Sequence, residues 1–204
     1  MEALLLKFKN LIEENGVTMA ELGFAPGASD DEIHAVETIT QQMLPADAKY
    51  FLSKINGQKT NNFHFLIDEV KLLSCEKIIA AWIKRKENWE KSAEINDGYN
   101  HKVKNKSFGY KSRIPFASED GNGMICIDNS HEKGSVKCQI IFMFNEYNHI
   151  VLADSFKGFI SCFVMLIEKS ILKFKKENNS NKFKLRSDDY YISDRMVSEL
   201  LMTK

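Results

Sequence analysis

The chain has no charge of either sign to spare. Its 204 residues carry 28 Lys+Arg against 28 Asp+Glu, a formal net charge of +0. General nucleic-acid binding rests on a basic excess, so none is expected; a local patch is compatible with the balance. Cysteine is sparse. Cys75, Cys126, Cys138 and Cys162 form no CxxC pair, and none stands at zinc-finger spacing from a histidine. Each has apolar neighbours in sequence, which predicts buried, reduced thiols. A long apolar run is missing too. The opening "MEALLLKFKNLIEENG" is too short and too interrupted for a signal peptide or a membrane span, so a cytoplasmic protein without a membrane partner is expected. No G-x-S-x-G, P-loop or HExxH occurs.

What is present is a hydrophobic fraction of 44%, enough for a real core. Residues 3–15 read as a helix with Leu4, Leu5, Phe8, Leu11 and Ile12 on one face, ended by Gly16. Ser29 and Glu32 form a capping-box pattern that opens a second helix. Its apolar face is read as Ile33, Val36, Ile39 and Met43. Pro45 opens a third helix with Tyr50, Phe51 and Ile55 inward, stopped by Asn56-Gly57. "NFHFLI" is a strand candidate, with His64 in a structural role. Ser74 caps a long helix to about Ala93, along which Ile78, Ile79, Trp82, Lys86 and Trp89 share a side; a Trp pair at this spacing reads as core. "NDGYNHKVKNKSFGY" is a basic loop.

Strands are expected at Met124–Asp128, Gln139–Phe144 and Ile150–Ala153, with "NEYN" joining the last two as a hairpin. The second is apolar on both sides, which predicts a strand covered on both faces. Ser155 caps a last helix with Phe156, Phe159, Ile160, Phe163, Ile167 and Ile171 inward. The remainder is basic and Asn-rich, then carries a short amphipathic stretch, "ISDRMVSELLMTK". The order of elements predicts an α+β fold: one domain with a central antiparallel or mixed sheet packed against helices.

"SEDGNGMICIDN", Ser118 to Asn129, imitates a calcium loop. Ser118, Asp120 and Asn122 alternate, and Gly123 and Ile125 fall at the turn and anchor positions. Yet the first ligand position holds Ser118 and the twelfth Asn129, where a bidentate Glu is needed. Pro115 opposes a helix before it, and Ile125 and Ile127 favour a strand after it. The segment reads as a Gly-rich turn between extended segments, with no metal and no cofactor expected. Cys126 and His131, with Asp128 between them, could supply a nucleophile and its base. Cys126 lies at an alternating strand position with no evident oxyanion device, so no enzyme is expected.

Four segments in order resemble the Smi/Knr-type, or SUKH, superfamily. "GASDDEIHAVETITQQMLPADAKYFLSKINGQ" resembles its opening helices with the "LP-x-D" step and "NG" turn. "LLSCEKIIAAW" is similar to its middle helix. "YKSRIPFASEDGNGMICID" resembles its "IPFA-D-GG-N" segment, with Arg113 where an aromatic often stands and with Phe108 and Tyr110 in place of tryptophans. "GSVKCQIIFMFNEYNHIVLADSFKGFISCF" resembles its closing strand pair and helix. The resemblance implies a SUKH-like domain over 26–172, an N-terminal helical extension over 1–25 and a basic extension with a short helix over 173–204. It implies a turn at "SEDGNGMICID" with Asp120 and Asp128 at the rim of the sheet. It further implies a protein-binding module: an immunity protein that neutralises a cognate protein toxin, for instance a nuclease, or else a scaffold in cell-wall synthesis and signalling. Against a basic toxin, the expected contacts are Glu119, Asp120, Asp128 and Glu132, gathered around two turns.

Overall fold

The computed structural model describes residues 1–58, 63–64, 70–91, 109–119, 123–130, 138–143, 149–176 and 183–187. The elements, in chain order, are α1 (Glu2–Glu14), α2 (Asp30–Thr40), α3 (Ala46–Leu52), β1 (Phe63–His64), β2 (Lys71–Leu72), α4 (Cys75–Lys91), α5 (Gly109–Ser112), β3 (Arg113–Glu119), β4 (Gly123–Asp128), β5 (Gln139–Met143), β6 (His149–Ala153), α6 (Phe156–Glu168), β7 (Leu172–Lys176) and β8 (Phe183–Ser187). This is the α+β order expected. A five-stranded sheet runs β2-β3-β4-β5-β6, every neighbour antiparallel. A second sheet, β1-β8-β7, pairs β1 parallel to β8 and β8 antiparallel to β7.

Local chemistry explains the helix starts. Ser29 Oγ accepts from the Glu32 N–H at 3.2 Å while Glu32 accepts from the Ser29 N–H at 2.8 Å, a complete capping box. Those hydrogen bonds, the backbone one first, lower the Glu32 pKa. Ser155 Oγ accepts from the Gly158 N–H at 3.0 Å and opens α6. Pro45 is the N-cap of α3. Gly57 has φ +79, and a Cβ there would stand 2.4 Å from the Ser74 backbone nitrogen. That turn is closed to any other residue.

Two apolar stripes differ from the sequence reading. On α2 the buried residues are Ile33, Val36 and Thr40, whereas Ile39 and Met43 are exposed. The reason is the helix end: Gln41 turns left-handed at φ 55, and Leu44 rather than Met43 enters the core. On α4 the buried positions are Cys75, Ile78, Trp82 and Arg85, with Lys86 only half-buried. Arg85 continues the i, i+3, i+7 stripe that Lys86 was expected to extend. Tyr50 is also half-buried, its ring beneath the Lys54 ammonium at 5.3 Å.

One face of the large sheet carries Ile114, Phe116, Ile125, Ile127, Ile140, Phe142 and Leu152 into the main core. Phe116 meets Phe156 and Phe159 of α6 edge-on, with ring centroids 5.3 and 5.6 Å away. α1 joins the same core through Phe8, 6.1 Å from Phe163, and through Lys7, which pairs with Glu168 at 2.8 Å. The other face carries Cys126, Ile141, Met143 and Val151. β5 is buried along its whole length, as its two-sided apolar pattern requires.

β7 and β8 were not expected from the sequence, although Leu172/Phe174 and Phe183/Leu185 alternate with cations. The rest of "NFHFLI", the basic loop before Gly109, the "NEYN" turn, the amphipathic stretch near the C-terminus and the side chains of His64 and Trp89 lie outside the described residues. Trp82, by contrast, is 7% exposed. Trp82→Ala is expected to cost about 3–5 kcal/mol, read as a shift of the urea midpoint against wild type; an unshifted midpoint contradicts the packing of α4.

Candidate partner-binding site

The segment that imitates a calcium loop joins two strands of one sheet. β3 precedes it and β4 follows it, paired antiparallel with Glu119 opposite Gly123. An EF-hand needs a helix on each side, so that reading fails on its flanks. Gly123 sits against Phe142: a Cβ there would come 3.0 Å from the ring. Ser118 Oγ donates to the Gly123 carbonyl at 3.3 Å, using its hydroxyl within the strand pair.

Of the four expected contact residues, the backbones of Glu119 and Asp128 are described. Glu119 ends β3 beside the start of β4, while Asp128 ends β4. Five residue steps separate Gly123 from Asp128, about 17 Å of strand. The backbones of Glu119 and Asp128 therefore stand at opposite ends of the β3–β4 pair. Asp120, Glu132 and the Glu119 side chain lie outside the described residues.

Asp128 is not at the rim. It is 0% exposed, as is Arg113, so its carboxylate has no accessible surface to offer a partner. Arg113, Asp128 and Gln139 stand opposite one another on β3, β4 and β5, forming one polar rung. Arg113 Nε lies 3.7 Å from Asp128 Oδ1. Gln139 Nε2 donates to Asp128 Oδ2 at 2.9 Å. The Ser130 N–H donates to Asp128 Oδ1 at 3.1 Å, an Asx-type turn that carries the chain off the strand. Asn129 continues the clamp: its N–H donates to the Ser112 carbonyl at 2.8 Å, and its side-chain amide donates to the Met43 carbonyl at 3.0 Å. Arg85 reaches in from α4, with Nη1 3.5 Å from the Arg113 carbonyl oxygen. Burial lowers the Arg113 pKa, Asp128 opposes that shift, and Arg85 adds to it.

Cys126 is the neighbour of this rung on the same face. It is 0% exposed, with Arg85 Nη1 and Met143 Sδ each 3.8 Å from Sγ. Burial pushes its pKa up to about 11, more than the nearby guanidiniums pull it down. A thiol held protonated and out of solvent is a packing group, not a nucleophile. His131, its expected base, lies outside the described residues. Cys75 is likewise raised to about 11 by burial.

A protein-family model matches residues 27–162, well over half of the chain. The chain belongs to the SMI1 / KNR4 family (SUKH-1). No curated protein matches it significantly. The SMI1 / KNR4 match runs from the turn before α2 to the middle of α6, so it takes in the whole five-stranded sheet and α4. α1, β7 and β8 lie outside it. Within the match, Arg113 stands where an aromatic was expected, and the structure supplies the reason: its charge is used inside the sheet, on Asp128. Sequence reading missed Arg85 and Gln139. A charged residue on a buried helix stripe and a polar residue opening an apolar strand were the available signals.

Two outcomes follow. Asp128→Ala strands a buried guanidinium and is expected to lose about 3–5 kcal/mol, whereas the paired change Arg113→Met with Asp128→Leu recovers most of it. Urea denaturation of the two variants against wild type checks this; equal losses in the single and double changes contradict it. At pH 8 the Cys75 and Cys126 thiols, with pKa values near 11, have a thiolate fraction of roughly one in a thousand. Both are expected to react with Ellman's reagent only after denaturation. The sign is that of a raised folded pKa: these thiols favour the native state less as pH climbs from 9 towards 11, which a melting series in that window also reads.

Proposed function

We propose that this protein is a non-enzymatic binding module, an immunity protein that neutralises a cognate protein toxin by stoichiometric association. The observation that supports it most is membership of the SMI1 / KNR4 family (SUKH-1) over residues 27–162, since bacterial members of the SUKH group include immunity proteins. The protonated, buried Cys126 agrees with a binding role in place of covalent catalysis.

The contacts proposed are Glu119 and Asp120 at one end of β4 and Glu132 beyond the other. Asp128 has a different part, holding the strand end from which the second turn leaves. The two ends of β4, about 17 Å apart, fit within one interface, because a patch of about 800 Å² per partner spans on the order of 30 Å. If the toxin is a basic nuclease, these carboxylates speed its capture, and reversing them slows association more than it alters the fold.

Co-expression with the toxin encoded beside this chain tests the proposal. The variants are Glu119→Lys with Asp120→Lys, and separately Glu132→Lys, each with a melting curve. The expected outcome is normal melting, at least tenfold weaker capture and loss of protection. Full protection by both variants refutes the acidic contacts. If the wild-type chain protects no cell against a neighbouring toxin, the scaffold reading replaces the immunity reading.

A further inference from the structure

Among the described residues the exposed large apolar side chains are Leu6, Ile39, Met43 and Ile83. Leu6 is on α1. The other three belong to α2, the turn after it and α4. Asn56 pins the starts of these two helices together. Its side-chain amide donates to Glu32 Oε1 at 3.2 Å, and its side-chain oxygen accepts from the Cys75 N–H at 2.8 Å. Beyond that point α2 and α4 make the most extensive helix–helix contact among the described residues, so they run side by side in one direction. Ile39 lies about 10 Å along the axis from Glu32 and Ile83 about 12 Å from Cys75, at one level. Ile39 stays within about 20° of the Glu32 stripe, and Ile83 is turned about 80° from Cys75. The Lys49–Glu37 pair, at 2.7 Å, holds α3 on the other flank of α2. Ile39 and Ile83 therefore border the seam between α2 and α4.

Met43, 69% exposed, closes the seam at its far end. Its carbonyl accepts from the Asn129 side-chain amide at 3.0 Å. Asn129 follows Asp128, which stands opposite Arg113, and the Arg113 carbonyl faces Arg85 Nη1 of α4 at 3.5 Å, two residues beyond Ile83. Single exposed apolar side chains are ordinary, whereas several at one level on one seam mark an interaction surface. The charge beside them is acidic. Glu76, Ala80, Ile83 and Glu87 form one exposed stripe of α4, with a carboxylate on either side of Ile83, and Asp31 is exposed on α2. Exposed Lys84 is turned about 180° from Cys75, away from α2.

We infer that the α2–α4 seam is the apolar anchor of the partner-binding site, and that it receives an apolar side chain set among cations on the toxin. This rests on the immunity reading and deepens it. The seam adjoins the contact already proposed at the second turn, because Glu132 follows Asn129 by three residues and its backbone lies within about 11 Å of it. A second copy of the chain is disfavoured as the occupant, since it would bring Glu76 and Glu87 against carboxylates of the same kind. Apolar burial at the centre of an interface governs how slowly the partner leaves, and the acidic border governs how fast it arrives.

The test measures association and dissociation rates of the full chain with the purified toxin encoded beside it, with sedimentation and a melting curve for each variant. Met43→Ser with Ile83→Ser is expected to melt normally and to dissociate roughly 30-fold faster. Glu76→Lys with Glu87→Lys is expected to associate roughly tenfold more slowly at low salt. Leu6→Ser, an exposed apolar change outside the seam, is expected to stay within about twofold of wild type. If the toxin binds the wild type and leaves the Met43/Ile83 variant at the wild-type rate, the anchor is overturned while the immunity reading stands. If the toxin does not bind the wild type, the immunity reading fails and the anchor fails with it. A wild-type dimer that the Met43/Ile83 variant alone converts to monomer overturns the anchor in favour of a contact between copies. Should that variant melt early, Met43→Lys alone repeats the comparison, and an unaltered dissociation rate there overturns the anchor.

Discussion

A single carboxylate aligns three strands. Asp128 takes hydrogen bonds from Gln139 on one side and from the turn at Ser130, and it faces the Arg113 guanidinium on the other side. A buried ion pair is a poor source of net stability, because desolvating both charges offsets most of their attraction. What this one fixes is register. Side chains alternate faces along a strand, so a slip of one residue would send Ile125 and Ile127 out of the main core and bring Met124 and Cys126 into it. With the rung in place, Ile114, Ile127 and Ile140 fall in line on the core face.

The helices were largely legible in the sequence because their starts are written in local chemistry. Ser29 with Glu32, Pro45 and Ser155 each act over three or four residues, and no distant contact is needed to make them work. Helix ends and exposed stripes were less legible. Ile39 and Met43 continue the pattern of α2 on paper, but the left-handed turn at Gln41 is decided by where Leu44 can be buried. β7 and β8 escaped notice for a related reason. Their lysines suggested a solvated tail, while the alternation that makes them strands is expressed only when a partner lies alongside.

The site was legible as chemistry and not as geometry. The sequence placed carboxylates around two turns and correctly opposed a calcium loop, because Pro115 and the Ile125/Ile127 alternation are strand signals. It could not show that the turns leave opposite ends of β4. Nor could it show that Asp128 looks inward, since an aspartate after an apolar strand reads as a turn residue. That inward orientation depends on Arg113 and Gln139, which lie fifteen residues before it and eleven after it, and whose charge and polarity are unremarkable until the strands are set side by side.

α6 has a consequence for how such a chain can diverge from its relatives. The segments that flank the family-matched region come from opposite ends of the chain, yet both are attached to this one helix. α1 leans on it through Phe8 and Lys7, and β7 leaves its C-terminus with Leu172 in the same core. Losing α1 would uncover Phe163 in the middle of α6 and leave Glu168 at its end without Lys7. The two appendages thus share one support: removing either exposes apolar surface of the core to which α6 belongs.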